Sequence, residues 1–483
     1  MFKIPKIKNK NGIIFSIGVL MSGTLVQSIL KIIILGLFAR LLTPEEFGVY
    51  SAALVVIGGV ILINELGLSA ALIQKKEITE KTKSTAFYIS LVFGLVSGIT
   101  LFLLAPYLAS LFQVEELIKI LRFSSLMFLL ESVSIVSKGI LQREMNFLSI
   151  VKINLTSFIL GYALFGILLA YLDFSYWALI IGTIIQSAIR SFLYYRKASI
   201  PFFGEFSKSE FKHLLNFGAG FTLARIINYF ALQSDNFIIS RYQGNEQLGI
   251  YGRAYQLMVL PASLIGGALD KVLFSAFSKT GEAKSKQYFI QGLDLSLLLS
   301  TIISSLFYFN NEIIVRIALG SQWGAVNEPF KILSIGLVFR LAYKINISII
   351  RAEGKVYIHA LTQFVYFLFV LVGCYFVRDL GFNEIAKVVT FAIILNYLTT
   401  LYFAKKFLNI FLKEVLKIHL KFIGIGLLIW AIGYLLLNVM FAAIKINAYS
   451  QLIRLILNTL FVLPLILTNK LIQKKLFKIW GKK

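Results

Sequence analysis

The sequence predicts an all-α polytopic membrane protein of about 14 transmembrane helices, arranged as two six-helix lobes with two extra C-terminal helices. Three observations carry this prediction. Of 483 residues, 58% are hydrophobic and only 15% charged, with a mean hydropathy of +0.82; that is no surface for an ordinary soluble enzyme. Apolar stretches of about 20 residues, enough to cross a hydrocarbon layer of roughly 30 Å, recur from Ile13 almost to Lys470. Finally, a short pattern near residue 40 returns near residue 241.

Bounding each apolar run by charge, proline or polar clusters places the spans in order. They fall at 13–39, 47–73, 84–112, 117–140, 148–171, 174–195, 213–240, 247–275, 287–309, 328–350, 356–377, 384–404, 418–438 and 448–469. The first follows Lys3, Lys6, Lys8 and Lys10 as in a secretory signal, but runs on to about Phe38 without a small-residue cleavage site, so it reads as an uncleaved span. No intervening segment is long enough for a folded soluble domain. Cys374 is the only cysteine and lies in an apolar run, so an intrachain disulfide is excluded.

The net charge of +25 would suggest a nucleic-acid partner in a soluble protein. Here the basic residues sit in short loops on alternate sides, so no nucleic-acid partner is expected. One set of loops and both tails, including Lys75, Lys81, Arg143, Arg196, Lys208, Lys279, Lys355, Lys405 and Lys470, holds about 29 Lys and Arg. The opposite set holds about six: Arg40, Lys119, Arg241, Arg316, Arg378 and Lys445. The positive-inside bias then puts both termini in the cytoplasm, and the basic tails against anionic lipid headgroups.

The repeat aligns Arg40, Glu45, Gly48 and Tyr50 with Arg241, Glu246, Gly249 and Tyr251, a shift of 201 residues. It carries the first helix onto the seventh. Six helices is an even number, so both lobes enter the membrane from the same side and their pseudo-two-fold axis stands along the membrane normal. The expected division is an N-terminal lobe at 1–197, a cytoplasmic linker at 198–212, a C-terminal lobe at 213–405, and helices 13 and 14 with a basic tail at 406–483. The glycines are read as tight outer turns with Tyr50 and Tyr251 at the interface, or simply as parts of capped hairpins.

Ala39-Arg40-Leu41-Leu42-Thr43-Pro44-Glu45-Glu46-Phe47-Gly48-Val49-Tyr50, Glu65-Leu66-Gly67-Leu68 and Ala70-Ala71-Leu72-Ile73-Gln74-Lys75 resemble the opening of bacterial Wzx-type flippases, the transporters of lipid-linked oligosaccharides. Gln142-Arg143-Glu144-Met145-Asn146-Phe147, Asp235-Asn236-Phe237-Ile238-Ile239-Ser240-Arg241, Gly249-Ile250-Tyr251 with Arg253-Ala254-Tyr255-Gln256-Leu257, and Leu260-Pro261 resemble later landmarks of that family. The similarity covers most of residues 13–400. It implies the multidrug/oligosaccharidyl-lipid/polysaccharide exporter superfamily, with a V-shaped two-lobe fold, a central cavity and alternating access. The implied substrate is an undecaprenyl-diphosphate-linked glycan flipped to the outer leaflet of the bacterial inner membrane, for O-antigen, capsule or exopolysaccharide assembly.

Ionisable residues inside spans are costly unless they face water or a partner, which makes each a candidate. Arg225 and Asn228 share a face of span seven, and the repeat shift sets Gln27 against Asn228, with Lys31 four residues beyond Gln27. Arg340 and Lys344 share a face of span ten, and Arg351 continues the row. Arginine clamps phosphate oxygens and lysine supplies a point charge, so Arg225, Arg340, Lys344, Lys31, Asn228 and Gln27 are the expected cavity residues for diphosphate and glycan. The alternatives are pairing with embedded acids such as Glu65, Glu131 or Asp235, or snorkelling by the lysines. Those three acids are candidates for coupling to a proton or sodium gradient, or for buried ion pairs. Asp294 and the Asp270/Lys271 pair read as solvated near the inner interface.

No cofactor is expected. The three histidines, His213, His359 and His419, have no ligand spacing, and the sequence contains no GxxxxGK[ST] loop for ATP. The chain is therefore expected to be a transporter rather than an enzyme, working beside membrane lipids and the glycosyltransferases and polysaccharide polymerase of its pathway. Two rivals remain. A multidrug exporter of the same fold would favour acidic and aromatic linings for organic cations. A membrane polymerase would need a large outer loop, and the longest, about 310–327, is short.

Overall fold

The computed structural model describes residues 10–75, 77–198, 204–277 and 281–435. Every regular element among them is helical. The expected fourteenth span, the basic C-terminal tail and the lysines at 3, 6 and 8 lie outside the described residues. Ten segments among those described are long and apolar enough to cross a membrane. Their outward faces carry Leu103, Tyr107 and Leu126, all more than half exposed, as expected where lipid covers the protein. The chain divides into two compact units, Met1–Gly249 and Ile250–Lys483.

In the first unit, α1 (Lys10–Leu41) is followed by α2 (Pro44–Glu65), whose start is fixed by its sequence. Thr43 caps the helix, with Glu46 N–H donating to its hydroxyl at 3.3 Å and its own N–H donating to the Glu46 carboxylate at 2.7 Å, while Pro44 supplies the first helical φ. The second span is not continuous. Leu66 and Gly67 take left-handed φ values of 43° and 61°, so α2 stops at Glu65 and α3 (Leu68–Gln74) resumes beyond it.

The third span is α4 (Glu80–Phe112), capped reciprocally by Thr79 and Thr82, and α5 (Leu117–Ser124) with α6 (Leu126–Arg143) form the fourth. The fifth is α7 (Phe147–Ser157), a π-helical stretch Phe158–Phe165, and α8 (Gly166–Tyr171). Then come α9 (Trp177–Lys197) and α10 (Lys208–Gln243). The helices are joined by small polar side chains bonded to neighbouring backbones: Asn64 to Phe128 O, Ser69 to Ile135 O and Ser90 to Ser132 O.

The helix α10, first of the expected C-terminal lobe, packs here on α2, α3 and α4. Gly204–Glu210, leading into it, is tied to α4: Ser84 Oγ donates to Glu205 O at 2.8 Å, Tyr88 hydroxyl to Gly204 O at 2.9 Å, and Ser207 N–H to the Thr85 hydroxyl at 2.9 Å. Lys75 pairs with Glu210. Lys81, hydrogen-bonded to Glu205 at 2.6 Å, holds that carboxyl below the usual carboxylate range. Both groups are exposed, so this tie weakens with salt and is lost on acidification through the lowered pKa. Arg143 donates to the carbonyls of Leu72, Ile73 and Lys75 at the end of α3. Arg143→Ala is expected to destabilise the chain by about 1–3 kcal/mol through these unpaired carbonyls, seen as a lower denaturation midpoint in detergent; an unchanged midpoint counts against the clamp.

The second unit begins within α11 (Asn245–Phe277). It continues with α12 (Glu282–Phe309), α13 (Asn311–Ala318), a 3₁₀ turn Ser321–Val326 and α14 (Asn327–Ala352). The helices α15 (Val356–Phe376), α16 (Phe382–Phe407) and α17 (Leu412–Leu435) complete it. The 310–327 stretch, read from sequence as a loop, is thus largely helical, with Trp323 fully buried. Its core is built around α14, with Phe289, Leu293, Ile345, Ile349 and Tyr397 at its centre. Asn346 bridges to Tyr397 O and the Thr400 hydroxyl on α16. The helix α17, expected as helix 13, is stitched to α12 by Lys421–Asp294 at 2.7 Å and Lys286–Glu414 at 3.1 Å. Asp294 is therefore paired.

Candidate functional site

In the first unit the structure joins a cavity candidate to a coupling candidate. Arg225, on α10, donates to Glu65 at 2.5 Å; Glu65 is the last residue of α2, beside the left-handed break. Of the alternatives open for Arg225, pairing with an embedded acid is the arrangement seen. The same helix is held one turn on by Tyr229, whose hydroxyl donates to Leu54 O and Val55 O at 3.1 and 2.9 Å. Asn228 is exposed, as is Lys31 on α1, while Gln27 is half-buried. Asp235 is buried, and its carboxylate accepts the N–H of Asn236 at 2.9 Å.

The second acid, Glu131 on α6, is paired with Arg190 on α9 and also accepts from the Ser187 hydroxyl. The Ser134 hydroxyl lies 3.4 Å from the same carboxylate. Arg190 lies within electrostatic range of Lys31, bringing α1 into the cluster. Sequence reasoning missed Arg190. Its signal was present: an acid in the middle of span four calls for a cation on a neighbouring span, and spans five and six offer two, Lys152 and Arg190.

In the second unit the basic residues of α14 lie along α11. The Arg340 guanidinium sits over the Tyr255 ring, 5.1 Å from its centroid, within cation–π range. The Lys344 stem passes Gly266, its Cγ only 3.0 Å from where a Cβ there would sit. Arg351, two turns further, pairs with Asp270, which also accepts from the Ser348 hydroxyl at 2.5 Å. Asp270 is thus an ion-pair partner rather than the solvated group read from sequence. Lys344 forms no ion pair among the described residues, and its nitrogen lies 5.8 Å from the Tyr343 ring centroid. Half-buried His359 on α15 lies within electrostatic range of Lys344, Arg351 and Asp270. The row thus carries three cations, of which Arg351 is paired with Asp270. Chemically, guanidinium and ammonium groups in such a row suit an anionic group. Among the described residues, no three His, Cys, Asp or Glu side chains converge on a metal position.

Comparison with known proteins places this architecture. A family model described as "Polysaccharide biosynthesis protein" matches residues 37–328. The teichuronic acid biosynthesis protein TuaB of Bacillus subtilis is 26% identical over 299 residues, and the succinoglycan biosynthesis transport protein ExoT of Rhizobium meliloti 30% over 299. Each match covers 61% of this chain, and the chain spans 62% and 60% of the length of those relatives. The lipopolysaccharide biosynthesis protein WzxC of Escherichia coli is 25% identical over 354 residues, 69% of this chain and 70% of that one. Among solved structures, the lipid II flippase MurJ in an inward closed conformation superposes with a TM-score of 0.76, 17% identity, and coverage of 96% of this chain and 99% of that one. An inward-facing multidrug-resistance MATE transporter gives 0.63 at 15% identity, covering 78% and 93%. These likenesses establish the fold, an all-helical multi-pass membrane architecture of the MurJ and MATE kind. With more than half of its length matched by the family model, the chain belongs to the polysaccharide biosynthesis protein family.

Proposed function

We propose that this protein is a flippase that moves an undecaprenyl-diphosphate-linked oligosaccharide from the cytoplasmic to the outer leaflet of the bacterial inner membrane by alternating access. The observation that carries the reading is the row on α14, where Arg340, Lys344 and Arg351 follow one another beside α11 and Lys344 forms no ion pair among the described residues. Arg340 is placed to clamp diphosphate oxygens and Lys344 to add a mobile charge, while the glycan meets polar groups such as Gln27 and Asn228 and the prenyl tail stays in lipid. The names of the relatives point the same way: succinoglycan transport and teichuronic acid and lipopolysaccharide biosynthesis. A multidrug exporter of organic cations gains nothing from such a row.

In this reading both termini face the cytoplasm, and Arg225 and Lys31 are further contacts for the anion when Glu65 releases Arg225. Glu65, Glu131 and Asp235 are the groups through which a proton or sodium gradient acts. The protein works in sequence with the glycosyltransferases that build the lipid-linked unit and the polymerase that consumes it. The test is genetic and chemical: removal of the chain is expected to abolish surface polysaccharide and to accumulate the prenyl-diphosphate-linked unit on the inner leaflet, protected from externally added glycosidase. Unchanged surface polysaccharide refutes the reading.

A further inference from the structure

The second span, Pro44–Gln74, is interrupted at Asn64-Glu65-Leu66-Gly67, where polar residues and a glycine break the apolar run. A helix that stops within a membrane leaves carbonyls without N–H donors. Across this break the Leu66 N–H returns to Ile63 O at 3.2 Å, and α3 restarts with the Ala71 N–H donating to Gly67 O at 2.9 Å. Among the described residues, the carbonyls of Leu62, Asn64 and Glu65 accept no backbone N–H.

A side-chain oxygen is stranded at the same point. Asn64 is 1% exposed; its amide N–H donates to Phe128 O on α6 at 3.2 Å, while its buried Oδ1 accepts no hydrogen bond among the described residues. Leaving such an acceptor unsatisfied costs free energy. Next to it in the chain, the Glu65 carboxylate is 18% exposed and is met by the Arg225 guanidinium at 2.5 Å. The end of α2 thus offers a carboxylate, a carboxamide oxygen and backbone carbonyls, at the negative end of a half-helix dipole. These are ligands for a hard cation, and a single carboxylate matches a single positive charge.

We propose that this break binds a small monovalent metal cation, sodium in the test below, in exchange for Arg225: the ion takes Glu65, Asn64 Oδ1 and the freed carbonyls, and the released guanidinium takes an anion. What Arg225 does once released rests on the flippase reading above; the ion site does not. A proton on Glu65 would also release Arg225, but it would use neither Asn64 nor the carbonyls, and those are the oxygens that lack donors. Exchange keeps the carboxylate neutralised in both states, so no buried charge is left bare. By linkage, the ion and the anion raise each other's affinity by the same factor. All these groups belong to the first unit.

The full-length chain in detergent is titrated with sodium chloride against N-methylglucamine chloride at constant ionic strength, and the denaturation midpoint is read, since a ligand of the folded state raises it. Wild type is expected to show a saturable rise specific to sodium. Arg225→Met, which removes the competitor, is expected to move half-saturation to about tenfold less sodium, and Asn64→Leu to about tenfold more. Glu65→Gln removes the response. Lys387→Met, which breaks an exposed pair with Glu384 on α16, controls for loss of charge and leaves the response unchanged. Absence of a sodium-specific rise in both wild type and Arg225→Met overturns the site, and an unshifted half-saturation in Arg225→Met overturns the exchange. Should the variants fail to accumulate, amide hydrogen exchange of wild-type segment 62–68 decides: slowing by sodium of about fivefold or more supports the site, and any smaller effect overturns it. These titrations contain no lipid-linked glycan, so loss of the flippase reading, seen as unchanged surface polysaccharide without the chain, leaves them standing.

Discussion

Glu131→Ala is expected to lower the stability of the protein by about 2–3 kcal/mol, among the largest effects of any single polar substitution in the first unit. The carboxylate accepts from both Arg190 and Ser187 between α6 and α9. Its side chain is 12% exposed and that of Arg190 28%. Removing it strands a guanidinium in a largely apolar setting; full burial would cost about 3–5 kcal/mol, and the partial exposure of Arg190 reduces that. The double substitution Glu131→Leu with Arg190→Met is expected to restore most of the loss, because two apolar side chains of similar size leave no charge unpaired. Denaturation midpoints in detergent for the two singles and the double close this cycle. A double variant as unstable as the sum of the singles would show that the pair is not what holds the helices. Glu131→Gln separates stability from coupling: if protonation of Glu131 drives the cycle, the stable Gln variant loses the dependence of transport on external pH.

The second large effect is on transport. Arg340→Ala with Lys344→Ala is expected to cut export by about a hundredfold or more at normal expression, since two charge-assisted phosphate contacts of about 1.5–3 kcal/mol each are lost. Arg340→Lys is expected to recover only part, because an ammonium cannot reproduce the planar fork or stack over Tyr255 in the same way. Arg225→Ala is predicted to behave differently. Its first consequence is an unpaired Glu65, so part of its defect should be relieved by adding Glu65→Ala. Surface-polysaccharide yield normalised to protein level measures both. Full export from the double alanine variant would remove the diphosphate assignment while leaving the fold untouched.

The spans were legible because membrane insertion imposes a one-dimensional rule: a run of apolar residues bounded by charge becomes a helix, as at Glu80–Phe112 and Phe382–Phe407. Interruptions inside a span were less visible. Nothing in Phe158–Phe165 announces a π-helical turn, and the break after Glu65 leaves only Gly67 as a trace. Charges inside spans stand out in the sequence at Arg225, Glu65 and Glu131, but their partners depend on which helices adjoin, which the sequence does not state. Arg190 and Asp270 were overlooked or misread for that reason: each lies near the end of an apolar run, where a charge looks solvated until its neighbour is known. The repeat located the glycines at 48 and 249 yet suggested turns with Tyr50 and Tyr251 at the interface; both glycines instead lie in the second turn of a helix, and both tyrosines are buried.

The stretch between the sixth and seventh spans has a practical consequence. Because Gly204, Glu205 and Ser207 are bolted to the start of α4, residues 204–207 behave as a structural strut and not as spare rope. Reporter enzymes, protease sites or epitope tags spliced here to map topology would pry the seventh helix from its seat, and silence from such a fusion would be mistaken for a wrong sidedness. The exposed junction at Glu353–Gly354, where φ reaches 69° and nothing crowds the glycine, offers a gentler place to open the chain.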